Sequence, residues 1–281
     1  MIKKLLGALA LTLTCSVAVA AGSSYELDHA PDRINNMASL QNGAKLFVNY
    51  CLNCHSASSM RYNKLNDIGL TDDEIKKNLL FTTDKVGDLM NVAMRKSDGT
   101  AWFGAYPPDL SVIARAKATN LGPSGVDYVY TFLRTFYRDT SKLSGWNNAV
   151  FPSVAMPNVL WERQGPTEYI KTEIHEVTED GSTSWEHKTT RYDAQGFSET
   201  ESKPLDSYLG GEVVDHIFEA PSAAQQTQYD NDVADLANFL GWMAEPNQLL
   251  RKKIGVWVLL FLSLFLVVAW RLNAAYWKHV K

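Results

Sequence analysis

The sequence predicts a mainly α-helical exported domain with insertions, one small β excursion and a single C-terminal membrane helix. Three observations carry this. Apolar residues recur at helical spacing in several segments. The polar stretch 162–219 alternates at strand spacing around Asp180-Gly181. Seventeen residues from Ile254 to Trp270 contain no charge.

At the N-terminus, Lys3 and Lys4 precede an apolar run from Leu5 to Val19 that ends in Ala18-Val19-Ala20. This is the layout of a secretory signal peptide, residues 1–20, cut before Ala21. Cys15 lies inside it, so the exported chain keeps only Cys51 and Cys54. A helix is expected over 42–50, with Leu46, Phe47 and Tyr50 on one face. Thr71-Asp72-Asp73-Glu74 reads as a capping box opening a helix through Phe81. Further helices are expected over 85–94, 126–137 and 230–244, the last stopped by Pro246. Between them, 146–161 reads as loop, with Pro152 and Pro157. Tyr169–Val177 and Ser184–Tyr192 read as a β-hairpin.

The uncharged run Ile254–Trp270 is apolar on every face, and at about 1.5 Å per residue it reaches the lower limit for a spanning helix. Trp257, Trp270, Tyr276 and Trp277 stand where interfacial aromatics belong. Basic residues flank both ends, so the positive-inside rule does not choose an orientation. The signal peptide does: residues 21–250 lie outside, and the anchor segment 251–281 ends in the cytoplasm.

All 31 Asp and Glu fall within residues 21–250, together with 19 of the 27 Lys and Arg, giving that stretch a formal charge of −12. Residues 162–219 hold 14 of the acids and only 5 bases. An acidic exported domain argues against nucleic acid and in favour of a basic protein partner, the alternative being solubility alone.

Chemistry is carried by Cys51-Leu52-Asn53-Cys54-His55. C-x-x-C-H is a c-type haem attachment pattern. Two thiols at this spacing add across the two vinyl groups of one porphyrin, and the next imidazole can take the proximal iron position. Cys-x-x-Cys alone would also suit a dithiol redox pair or half a zinc site. The sixth iron position has ten candidates: His29, His175, His187, His216, Met37, Met60, Met90, Met94, Met156 and Met243. Met60 is too close in sequence to cross the ring, and Met90, Met94 and Met243 fall on expected helices, where Met is usually core filler. Met156, in a loop and followed by Pro157, is favoured over a His or an open position. A thioether would raise the potential and fill the last vacancy.

At this point the residues resemble a family. Gln41 to Phe47 before the Cys pair, Tyr106-Pro107-Pro108-Asp109-Leu110-Ser111, Asp127-Tyr128-Val129-Tyr130, Phe151 to Pro157 and Ala244-Glu245-Pro246 are similar to cytochrome c1, in the same order. The resemblance implies a class I cytochrome c-like haem domain with one covalently attached haem c. It implies thioethers at Cys51 and Cys54, and His55 and Met156 as axial ligands. Tyr106, Pro108 and Leu110 would lie along the haem edge, and Arg115 and Lys117 near the propionates. Lys117 stands where the family often has Arg, and Asn158 where it often has a second Pro.

The implied function is electron transfer from a Rieske iron–sulfur protein to a c-type cytochrome. The implied setting is a dimeric complex with cytochrome b in a bacterial inner membrane, the haem domain lying in the periplasm. The chain would have no substrate site of its own. Two other readings are a membrane-tethered haem enzyme or gas sensor with an open sixth position, and a thiol oxidoreductase.

Overall fold

The structure is a computed structural model that describes residues 25–179 and 182–279; the expected signal peptide, with Cys15, lies outside them. Helix α1 (Met37–Leu46) begins before the expected Asn42, because the Asn36 side chain accepts a hydrogen bond from the Ser39 N–H and caps it. It passes into one π-helical turn, Phe47–Cys51. Strand β1 (Ala57–Arg61), a 3₁₀ segment (Tyr62–Ile68) and α2 (Asp72–Asn78) follow. The capping box forms: the Thr71 hydroxyl accepts from the Glu74 N–H, and the Glu74 carboxylate accepts from the Thr71 N–H at 2.8 Å.

Residues 85–94 form no helix. The Val86 and Asp88 carbonyls accept from the Asn63 and Tyr62 amides at 2.7 and 3.1 Å, and β2 (Leu89–Met90) pairs with β1. Long-range pairing here overrides local periodicity. Next come α3 (Lys96–Phe103), α4 (Ile113–Ala116) and α5 (Gly125–Arg134). The chain then leaves the helix for β3 (Phe136–Arg138), which pairs antiparallel with β4 (Trp146–Asn148), so the expected helix stops three residues short. A short helix, α6 (Trp161–Gln164), closes the loop region.

The expected hairpin is half of a larger object. Strands β5 (Glu168–Glu179), β6 (Ser182–Tyr192), β7 (Ser198–Leu205) and β8 (Val213–Glu219) make a four-stranded antiparallel sheet, in the order β7-β6-β5-β8. β7 is exposed along nearly its whole length and lacks apolar alternation, so only its ladder to β6 reveals it as a strand. Helix makes up about 43% of the described residues. With this sheet present, "mainly α" describes the helical core alone.

α7 (Ala223–Ala244) and α8 (Gln248–Tyr276) complete the chain. The core forms where α1 crosses α7. A Cβ on Gly43 would stand 2.3 Å from the Asp235 carbonyl oxygen and 2.5 Å from the Phe239 Cβ, so only glycine lets the two backbones meet. Phe47, Phe239, Leu46, Leu236 and Val233 are fully buried there. Each such side chain contributes about 1.5–3 kcal/mol by leaving water. α5 joins α7 through the buried Tyr229 hydroxyl, which donates to the Leu133 carbonyl at 2.6 Å, and through Arg134, which pairs with Asp28 and Asp230. α8 has a mean hydropathy of 2.3 over its most apolar window and buries none of it against the rest of the chain. At about 1.5 Å rise per residue it is long enough to cross a bilayer.

Candidate functional site

The π turn delivers the cysteines. The Leu52 N–H donates to the Phe47 carbonyl at 2.9 Å, five residues back, and the Cys54 and His55 amides both donate to the Cys51 carbonyl, at 3.0 and 2.9 Å. Widened turns of this kind recur at functional sites. Sequence periodicity could not distinguish it from ordinary helix. Both thiols are free, Cys51 buried and Cys54 half-buried. Burial pushes the Cys51 thiol up to about 12, with Cys54 adding to the shift, and burial also raises Cys54. A thiol–disulfide enzyme needs the opposite shift.

His55 is 9% exposed, and its Nδ1 donates to the Pro108 carbonyl at 2.7 Å. That bond fixes the tautomer and leaves the Nε2 lone pair for a metal. Burial lowers the pKa of His55, against smaller upward contributions from the Pro108 carbonyl and Asp109, so the ring is held neutral, its ligating form. Pro108 is carried on a loop stitched to the attachment segment. The Leu110 N–H donates to the Ser56 carbonyl at 2.8 Å, the Ser58 N–H and hydroxyl donate to Asp109, and the Ser59 N–H donates to the Ser111 hydroxyl. Of the residues expected at a haem edge, Tyr106 and Leu110 are half-buried, whereas Pro108 is exposed and acts through its carbonyl.

Met156 is half-buried and packs against the main apolar cluster, as do Leu110 and Val159. Six of its nine rivals have other occupations. Met60, Met90 and Met243 are buried in that cluster. His216 Nδ1 lies 2.7 Å from the Tyr169 hydroxyl, His175 faces Glu186 and His29 faces Asp127. Arg115 points to Glu245 at 3.9 Å, and the Lys117 ammonium sits over the Tyr128 ring at 4.7 Å. A separate cleft of about 250 Å³ at the root of the sheet is lined by Tyr137, Arg138, Trp146, Trp161 and Gln164 and by none of the site residues. Free paired thiols, an oriented neutral imidazole and a half-buried thioether suit a covalently held haem c.

The sequence profile of the cytochrome C1 family matches residues 31–180 and 212–280. The chain is 36% identical to a cytochrome c1 of Allochromatium vinosum, over 99% of both chains. It is 40% identical to a protein of Nitrosomonas europaea named ammonia monooxygenase gamma subunit, over 100% of this chain and 99% of that one. A cytochrome c1 of Rhodospirillum rubrum is 25% identical, over 86% of this chain and 82% of its own. On this match, the chain belongs to the cytochrome C1 family, whose members are haem c electron-transfer subunits of the bc1 complex.

Proposed function

We propose that this chain is a membrane-anchored one-electron relay, taking electrons from a Rieske iron–sulfur protein and passing them to a c-type cytochrome. The observation that carries the reading is the His55 imidazole, oriented by the Pro108 carbonyl at 2.7 Å directly after two free thiols. Haem c, when bound, supplies an iron that cycles between ferric and ferrous by one electron. Cys51 and Cys54 would tether it, each thiol adding S–H across a vinyl group. His55 Nε2 and the Met156 thioether would hold its iron. A soft thioether favours the ferrous state and leaves no position for oxygen. Tyr106 and Leu110 would lie along the ring. Arg115 is 64% exposed with only a long contact to Glu245, so it can turn towards a propionate, and Lys117 is a second candidate.

The export signal and α8 support a haem domain in the periplasm, a single span of the inner membrane and a cytoplasmic tail. Cytochrome b and the Rieske subunit are the expected partners, in a dimeric complex. The experiment is Met156→Leu in detergent-solubilised membranes. The midpoint potential should fall and the ferrous protein should gain carbon monoxide binding, while a pyridine haemochrome still reports one covalent haem. An unchanged potential would remove Met156 from the iron. Carbon monoxide binding by the wild type would favour an open-haem enzyme, the direction in which the name of the Nitrosomonas relative points.

A further inference from the structure

The loop that presents Met156 has no regular structure, so nothing in a ladder of backbone hydrogen bonds holds it. Its amides are met by three asparagine side chains, each 5% exposed or less. The Asn148 Oδ1 accepts from the Val150 and Phe151 N–H groups at 3.0 and 2.9 Å, while its Nδ2 donates to the Phe132 carbonyl at 2.7 Å. The Asn147 Oδ1 accepts from the Ser153 N–H at 2.7 Å, and its Nδ2 donates to Asp139 at 3.0 Å. Ser153 is a non-glycine residue at φ 61°, a conformation that persists only when its surroundings impose it. On the far side of the methionine, the Asn158 Oδ1 accepts from the Leu160 N–H at 3.0 Å, and its Nδ2 donates to the Gln164 side chain. Gln164 in turn donates to the Phe136 carbonyl at 2.9 Å.

Residues 154–157 are thus held at both ends, and both ends are tied to the same stretch of backbone, Phe132 to Phe136, where α5 becomes β3. We propose that Asn147, Asn148 and Asn158 are positioning residues that clamp this loop and hold the Met156 thioether at the iron. The inference rests on the reading of Met156 as the sixth ligand. Buried polar networks of this kind fix a unique geometry when every member is satisfied, and removing one member leaves several amides without partners. In this clamp the amides belong to the ligand loop, so the loss falls on ligation before it falls on the fold.

The test uses the full chain in its solubilised complex, comparing Asn148→Ala, Asn158→Ala, Met156→Leu and Asn238→Ala. Asn238 is equally buried but holds Pro31 and Ala234 on α7, away from the loop. The readouts are the red charge-transfer band of thioether-ligated ferric haem, the midpoint potential and carbon monoxide binding. Asn148→Ala and Asn158→Ala should weaken the band, lower the potential and admit carbon monoxide with the covalent haem retained. Asn148→Asp keeps an acceptor for the Val150 and Phe151 amides but loses the donor to the Phe132 carbonyl, so it should weaken the band as Asn148→Ala does. Asn238→Ala should lower thermal stability and leave the band intact. If Met156→Leu abolishes the band while every Asn-loop variant that folds keeps a full band and wild-type potential, the clamp is wrong and the ligand right. If Met156→Leu keeps both, the ligand reading fails and the clamp with it. Should Asn148→Ala not assemble, Asn158→Ala and Asn147→Ala are judged on the same criteria.

Discussion

The helical core and the four-stranded sheet are held together by different physics. In the core, α1, α5 and α7 bury fully apolar side chains, and Gly43 permits a backbone contact that no other residue would allow. The sheet is held by its ladders and by an aromatic root, with Tyr169 against Tyr137, Tyr192 and Phe218 at ring separations of 4.2, 5.8 and 4.7 Å. The family match follows this division only in part: its gap from 181 to 211 removes β6 and β7, while the adjacent pair β5 and β8 stays within it. Cys51, Cys54, His55 and Met156, the proposed haem ligands, lie outside the sheet. The sheet is therefore an addition that can vary in stability without reaching Cys51, His55 or Met156, and the core is not.

Gly43→Leu gives the largest effect expected. Its Cβ would collide with the α7 backbone rather than with the end of a flexible side chain, so the two helices cannot relax together. Overpacking in a tight core costs about 1–3 kcal/mol where side chains can move, and a backbone collision costs more. Covalently haem-loaded protein in the membrane fraction should be nearly lost. Normal haem loading in this variant would mean that the core is plastic and the division between the two regions false.

Tyr169→Ala should separate the regions more gently. Tyr169 is 2% exposed, and its ring packs against those of Tyr137, Tyr192, His216 and Phe218. Truncating a buried aromatic side chain costs about 3–5 kcal/mol. That loss falls on the docking of the sheet, so limited proteolysis should cut within residues 168–219 while the haem spectrum stays unchanged. Loss of the haem band together with the sheet would show that the two regions fold as one unit.

What the sequence made legible follows the same divide. The Thr71 cap and the amphipathic stretch of α7 are local signals, and each appears where its residues predict it. The two largest failures are long-range. Residues 85–94 read as helix, yet their carbonyls serve Tyr62 and Asn63, a pairing with no local signature. β7 and β8 are polar or exposed, so the alternation that marks a half-buried strand is weak there. For the proposed site, the cysteines, His55 and Met156 stand out in the sequence by chemical type. Pro108's carbonyl and the three asparagines could not, because a backbone acceptor has no identity in sequence and Asn in a loop reads only as turn.

The smallest effect belongs to the outer strand. Glu199 and Glu201 lie exposed on β7 with Asp206 just beyond, and the Glu201–Lys203 pair at 2.7 Å is open to water. Exposed pairs contribute little to stability because solvent already screens them. Neutralising all three as Glu199→Gln, Glu201→Gln and Asp206→Asn should leave the thermal midpoint, the haem band and the potential unchanged. The charges still add to the field of a region with 14 acids and 5 bases. Electron transfer to a basic c-type cytochrome should therefore slow at low ionic strength, and the difference from wild type should vanish as salt shortens the screening length below about 10 Å. A rate that is identical at every ionic strength would mean that the acidic sheet does not face the acceptor, and would restrict steering to the core side of the molecule.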